Sequence, residues 1–142
     1  MLIDRFGRAI EYLRLSVTDR CDLRCTYCIP EGFKGFEEPA HWLTFAEIER
    51  LLSVFARMGL KRVRLTGGEP LVRRHVDELA RRIAQIPGIE DLSLSTNATQ
   101  LAGMAERLKA AGVTRLNVSL DSLDPDTVKR INGRPVLDDI LA

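Results

Sequence analysis

No stretch of the sequence approaches the ~18 consecutive apolar residues of a membrane span. The opening residues hold Asp4, Arg5 and Arg8 and no apolar stretch, so a secretory signal is missing too. The expectation is a cytoplasmic protein with reduced thiols and no membrane partner. Charge of one sign is equally scarce: 21 Lys and Arg against 20 Asp and Glu leave a formal +1. That argues against a broad attraction to nucleic acid, so affinity for an anion has to come from individually placed Arg or Lys. Low-complexity tracts and linkers are absent, which suits one domain over residues 1–142. Cysteine is confined to Cys21, Cys25 and Cys28, with none afterwards. Pairing them would close very short loops and leave one thiol over, so the set points to metal rather than to disulfides.

What is present is a recurring unit of apolar strand, loop and amphipathic helix. Strands are expected at Tyr12–Val17, Arg62–Thr66, Leu92–Thr96 and Arg115–Leu120. Helices are expected at Phe45–Met58, Arg74–Gln85, Leu101–Ala111 and Pro125–Ile131. Thr44 followed by Glu47 is a capping box. Ile48, Leu51, Leu52 and Phe55 form one apolar stripe, and Gly59 can end that helix in a left-handed conformation. Asp124–Pro125 is an N-cap followed by proline at the first helical position.

Strands alternating with helices imply βαβ units and an α/β fold with a parallel sheet. Each strand has one apolar face: Leu13, Leu15 and Val17; Val63 and Leu65; Leu92 and Leu94; Leu116, Val118 and Leu120. The opposite faces are polar: Arg14 and Ser16; Arg64 and Thr66; Ser93 and Ser95; Asn117, Ser119 and Asp121. The apolar face is expected to pack under the helices and the polar face to line a cavity. A closed (β/α)₈ barrel fills its interior with branched apolar residues. A polar lumen suggests instead an open, partial parallel (β/α) barrel of about four βα units, and the alternative is a two-layer sheet with a bare face. A complete barrel takes at least ~200 residues, and a new stripe of Val136, Leu137, Ile140 and Leu141 is under way where the chain stops. The expectation is the N-terminal part of a barrel domain.

Active sites of parallel α/β folds sit at the C-terminal ends of strands. The unusual residues follow successive strands: the cysteines, then Gly67-Gly68-Glu69-Pro70, then Thr96-Asn97, then Ser119-Leu120-Asp121. A Cys-x₃-Cys-x₂-Cys triad leaves one iron of a cubane open to an outside chelator, since cubanes normally take four thiolates. A structural zinc site completed by His41 or His75 is the alternative. Glycines at 67 and 68 let backbone approach a ligand closely, and Glu69 suits an ammonium group. Equally, the segment can be a plain βα turn with Glu69 as a helix-entry acid. Arg14 and Arg64 suit phosphate oxygens, or ordinary salt bridges. Asn97 and Asp121 suit ligand contacts, but as strand-end residues they read first as structural turn or cap residues.

Cys21-x₃-Cys25-x-Tyr27-Cys28 resembles the signature of radical S-adenosylmethionine enzymes. The resemblance implies that Cys21, Cys25 and Cys28 hold a [4Fe–4S] cluster whose open iron chelates S-adenosylmethionine, and that electron transfer yields a 5′-deoxyadenosyl radical. Gly67-Gly68-Glu69 resembles that family's Gly-Gly-Glu motif, which contacts the methionine amino group. Asp4-x-Phe6-Gly7-Arg8, Tyr12 through Cys21, Leu43-Thr44-Phe45, Arg64 through Leu71 and Asn117 through Asp121 look like the GTP 3′,8-cyclases, lyases of the first step of molybdenum cofactor biosynthesis. By that resemblance Tyr27, Gly68, Glu69 and Ser119 are cofactor contacts, and Arg14, Arg64 and Ser95 are GTP contacts. It further implies GTP as substrate, an external electron donor and a possible homodimer. A second three-cysteine cluster, carried near the C-terminus of that family, has no counterpart after Cys28. The chain alone is therefore expected not to turn over GTP. Two other readings stay open: another radical enzyme such as a peptide modifier, and a non-catalytic zinc or iron–sulfur binding module.

Overall fold

Four short strands, each followed by a helix, build one parallel sheet in sequence order β1-β2-β3-β4. The structure, a computed structural model, describes residues 1–29, 32, 33, 35, 36 and 42–142. The strands are β1 Tyr12–Ser16, β2 Arg62–Thr66, β3 Asp91–Thr96 and β4 Arg115–Val118. The helices are α1 Phe45–Arg57, α2 Val76–Ala84, α3 Ala105–Ala110, α4 Pro125–Asn132 and α5 Leu137–Leu141. In the ladder Arg14 lies beside Arg64, Arg64 beside Ser93, and Ser95 beside Asn117. The polar positions therefore share one face.

Local chemistry explains the helix ends. At α1 the Thr44 hydroxyl accepts from the Glu47 N–H at 3.3 Å, and the Glu47 carboxylate accepts from the Thr44 N–H at 2.7 Å. Gly59 follows the helix with φ +105°, as its missing side chain allows. At α4 the Asp124 carboxylate accepts from the Thr127 N–H at 2.8 Å. Two helices start later than the periodicity suggests. A 3₁₀ turn at Pro70–Val72 and a left-handed His75 delay α2 until Val76. A left-handed Ala98 and successive turns that bond Leu101 to Ala98 and Met104 to Leu101 delay α3 until Ala105.

The main core lies between the sheet and α1 to α3. It joins Ile48 and Leu52, Val63 and Leu65, Val76, Leu79 and Ile83, Leu92 and Leu94, and Leu108. Burying such side chains stabilises by about 1.5–3 kcal/mol each before entropy is counted. The expected apolar face holds for β2 and β3. It fails at β4, where Leu116 and Val118 are 45% and 44% exposed. The reason is that α4 turns away from the sheet. Its Val128 packs with Leu23, Val136 and Leu137 in a second small core, and Leu120 leaves the strand to join it. That second core sits under the cysteine loop, with Cys21 and Cys25 against it.

Candidate functional site

The C-terminal ends of the four strands open onto one cavity of about 270 Å³. Every predicted site residue except Arg64 lines it: the three cysteines, Tyr27, Gly68, Glu69, Ser119, Arg14 and Ser95. The loops reach it because two backbones run side by side. Gly68 N–H donates to Thr18 O at 2.9 Å, and Glu69 N–H to Arg20 O at 2.8 Å. A Cβ on Gly67 would fall 2.2 Å from Thr18 O, and one on Gly68 would fall 2.3 Å from Arg20 O. The glycines thus let the β2 loop lie against the strand exit that carries Cys21, a protein contact the sequence does not announce.

Glu69 locks this arrangement. The residue is 1% exposed. Its carboxylate accepts from the Thr96 hydroxyl at 2.8 Å, the Leu71 N–H at 3.0 Å and the Asn97 N–H at 2.7 Å. Burial pushes its carboxyl above the usual range, and the three donors pull the other way. It reaches the end of β3 as a strut as well as lining the cavity.

Three further struts hold the cysteine loop. Asp22 accepts from Asn97 Nδ2 at 2.8 Å and from Thr99 Oγ1 at 2.5 Å. From the other side the last carbonyls of α4 capture the loop: Arg24 N–H donates to Asn132 O and Thr26 N–H to Ile131 O, both at 3.0 Å. Tyr27 Oη donates to Asp121 Oδ2 at 2.9 Å, tying the loop to the segment after β4. Desolvation of that hydroxyl and the bond to Asp121 raise the Tyr27 pKa. Asp121 is thus a positioning group rather than only a turn residue.

The thiols of Cys21 and Cys25 are half-buried and that of Cys28 is exposed. Burial raises the pKa of Cys21 and Cys25, so release of their protons calls for a compensating cation. Among the described residues, no three His, Cys, Asp or Glu side chains stand close enough together to share a single metal ion. His41 lies outside the described residues. His75 lines a different hollow with Thr18, Arg20 and Trp42, away from the thiols. Three thiols on one cavity, without a fourth cysteine in the chain, fit a multi-iron cluster that keeps one iron for a small molecule.

Arg14 faces this cavity and has no partner among the described residues, so a cation stands over the polar floor. Arg64, its neighbour in register, does not line the cavity. Its guanidinium stands over the Tyr12 ring at 5.8 Å and its Nε donates to Ser93 Oγ at 3.2 Å. Ser93, expected on the cavity wall, is buried beneath it. Sequence reasoning missed Asn132, whose Oδ1 accepts from Cys25 Sγ at 3.4 Å across 107 positions. No local signal marks it, because it reads only as a helix end before Gly133.

Residues 15–142 match the Radical SAM superfamily, and the chain belongs to that family. The cofactors of the family are a [4Fe–4S] cluster and S-adenosylmethionine. Within it, the GTP 3′,8-cyclase of Erythrobacter litoralis is 54% identical over 142 residues, 99% of this chain and 42% of that protein. The GTP 3′,8-cyclase of Rhodopirellula baltica is 50% identical over 141 residues, 99% of this chain and 39% of that protein. The chain spans about two-fifths of the length of these relatives. The crystal structure of Streptococcus suis SuiB bound to S-adenosylmethionine is similar in fold, with a TM-score of 0.70, 24% identity, and 88% of this chain and 28% of that chain covered.

Proposed function

We propose that this chain forms the cofactor-binding part of a GTP 3′,8-cyclase, holding both cofactors and the phosphate side of GTP. Arg14 carries the substrate reading: an unpartnered guanidinium shares one cavity with three thiols. Beside it stands the identity to the cyclase relatives. In this reading Cys21, Cys25 and Cys28 ligate the cluster. Tyr27, Gly68, Glu69 and Ser119 contact S-adenosylmethionine, and Arg14, Arg64 and Ser95 contact GTP. When bound, the cluster and S-adenosylmethionine supply the radical that starts the cyclisation. The chain's own side chains then bind and orient. Arg14 offers a planar set of donors to phosphate oxygens. Ser95 and Ser119 offer hydroxyls on the same floor, and the Tyr27–Asp121 bond ties the cysteine loop to the segment after β4. Arg64 joins by turning from Tyr12 toward Arg14, one strand away. An external donor delivers the electron, and the protein works in the cytoplasm; no helix among the described residues is long and apolar enough to cross a membrane.

The test is anaerobic reconstitution with iron and sulfide, then EPR of the reduced protein with and without S-adenosylmethionine. A cubane signal that changes on adding it is expected. Bound zinc, or a cluster indifferent to S-adenosylmethionine, overturns the cofactor assignment. Arg14→Ala is expected to weaken GTP about tenfold or more, since a charge-assisted hydrogen bond is worth ~1.5–3 kcal/mol, and to leave S-adenosylmethionine binding nearly unchanged. Equal losses for both ligands sink the substrate role.

A further inference from the structure

Asn132 is 4% exposed at the last turn of α4, and it lines the cavity together with the three thiols. Its main-chain carbonyl is already used by the Arg24 N–H. Its side chain is not needed to cap the helix. Instead Oδ1 accepts from the Cys25 thiol at 3.4 Å, and Nδ2 has no partner among the described residues. A thiolate that ligates iron has no proton to give and can only accept. Half a turn about the last torsion exchanges the amide's oxygen and nitrogen and offers N–H to the sulfur from the same place. The neighbouring thiol shows the donating orientation directly: Asn97 Nδ2 stands 3.9 Å from Cys21 Sγ, oriented by its 2.8 Å bond to Asp22. Cys28 Sγ, the exposed third thiol, has no side-chain donor among the described residues.

We infer that Asn132 is a positioning residue that donates its side-chain amide to the Cys25 sulfur of the cluster, making reduction of that cluster easier. The inference rests on the cluster reading above and deepens it. Reduction adds negative charge that spreads onto the ligand sulfurs. An N–H···S bond strengthens as that charge grows, so it stabilises the reduced form more than the oxidised one. The arrangement is lopsided: Cys21 and Cys25 have carboxamides beside them and Cys28 has none.

The experiment is an EPR-monitored redox titration of the anaerobically reconstituted chain, with iron content measured alongside. Asn132→Leu keeps the branched heavy-atom shape and removes the donor. It is expected to lower the ratio of reduced to oxidised cluster at fixed potential about tenfold, roughly 59 mV for a one-electron couple. Asn132→Ala also removes the donor and adds neither bulk nor charge. Its potential is expected to fall by a similar amount to that of the Leu variant. If the Leu variant loses its cluster, the Ala variant decides. Normal iron content with an unmoved potential in either variant overturns the inference. So does loss of the cluster in both, which would assign Asn132 to folding alone. Wild-type chain that shows no cubane signal overturns the reading of the site itself, an outcome distinguishable from a wild-type cluster whose potential ignores Asn132.

Discussion

Gly68 has room for no side chain, because a Cβ would sit 2.3 Å from one backbone oxygen and 2.5 Å from the next, those of Arg20 and Asp19. Neither oxygen can rotate away as a side-chain tip would. Gly68→Ala therefore has to part the β2 loop from the segment leading into Cys21. Urea unfolding is expected to show a loss of at least ~3 kcal/mol, the upper range for overpacking. A loss under ~1 kcal/mol would mean that the two loops are not apposed as described. Next to it, Glu69→Gln keeps the shape but turns an amide nitrogen toward a backbone donor, either the Asn97 N–H or the Leu71 N–H. Leaving a buried donor unmatched costs about 1–3 kcal/mol, and the same unfolding measurement reads it.

Among the elements, α1 is closed at its N-terminus by a capping box of Thr44 and Glu47. Thr44→Ala removes the hydroxyl that accepts from Glu47 and is expected to cost ~1 kcal/mol, seen as a lower urea midpoint with an unchanged slope. The entries of β3 and β4 are joined differently. Asp91 at the start of β3 accepts from Arg115 and from Thr114 Oγ1, the latter at 2.6 Å. The Arg115 hydrogen bond, then that of Thr114, holds the Asp91 carboxyl below the usual carboxylate range. A depressed carboxyl stabilises the fold above its unfolded pKa, and that contribution is lost as pH falls through the depressed value. Arg115 is well exposed, so solvent and salt weaken the pair. Asp91→Asn is expected to lower the urea midpoint modestly in the neutral region and to meet the wild type in acid, so that the acid limb flattens. An identical acid limb in the variant would remove Asp91 from the account.

At the scale of the sheet, the outer edge of β4 is unpaired among the described residues, and Leu116 and Val118 are exposed on that strand. An unpaired strand edge with apolar side chains invites pairing with another copy. The purified chain is expected to self-associate in a concentration-dependent way, and Val118→Lys is expected to reduce that association. Sedimentation velocity of the two proteins decides; equal association in both would place the contact elsewhere.

How much of this was legible in the sequence follows from range. Period-two and period-3.6 patterns are local, so the four strands, their parallel order and the helices could be read from residues such as Val63, Leu65, Ile48 and Leu52. The Cys-x₃-Cys-x₂-Cys spacing and the Gly-Gly-Glu segment were legible for the same reason: each motif sits within a few residues of chain. The early end of β4, the bare Leu116 and Val118, and the second core of Leu23, Val128 and Leu137 were not, because they depend on where α4 chooses to pack. Glu69 could be read as an acid beside a ligand, but its three donors come from Leu71, Thr96 and Asn97 and exist only once β2 and β3 are side by side. By itself the sequence determined the class of fold and the three thiols, since both are written in short-range pattern. Only the tertiary structure decided that Gly68 serves a backbone contact, that Arg64 leans on Tyr12 while Arg14 faces the cavity, and that Asn132 meets Cys25, because each of these is a contact between elements whose spacing along the chain carries no signal.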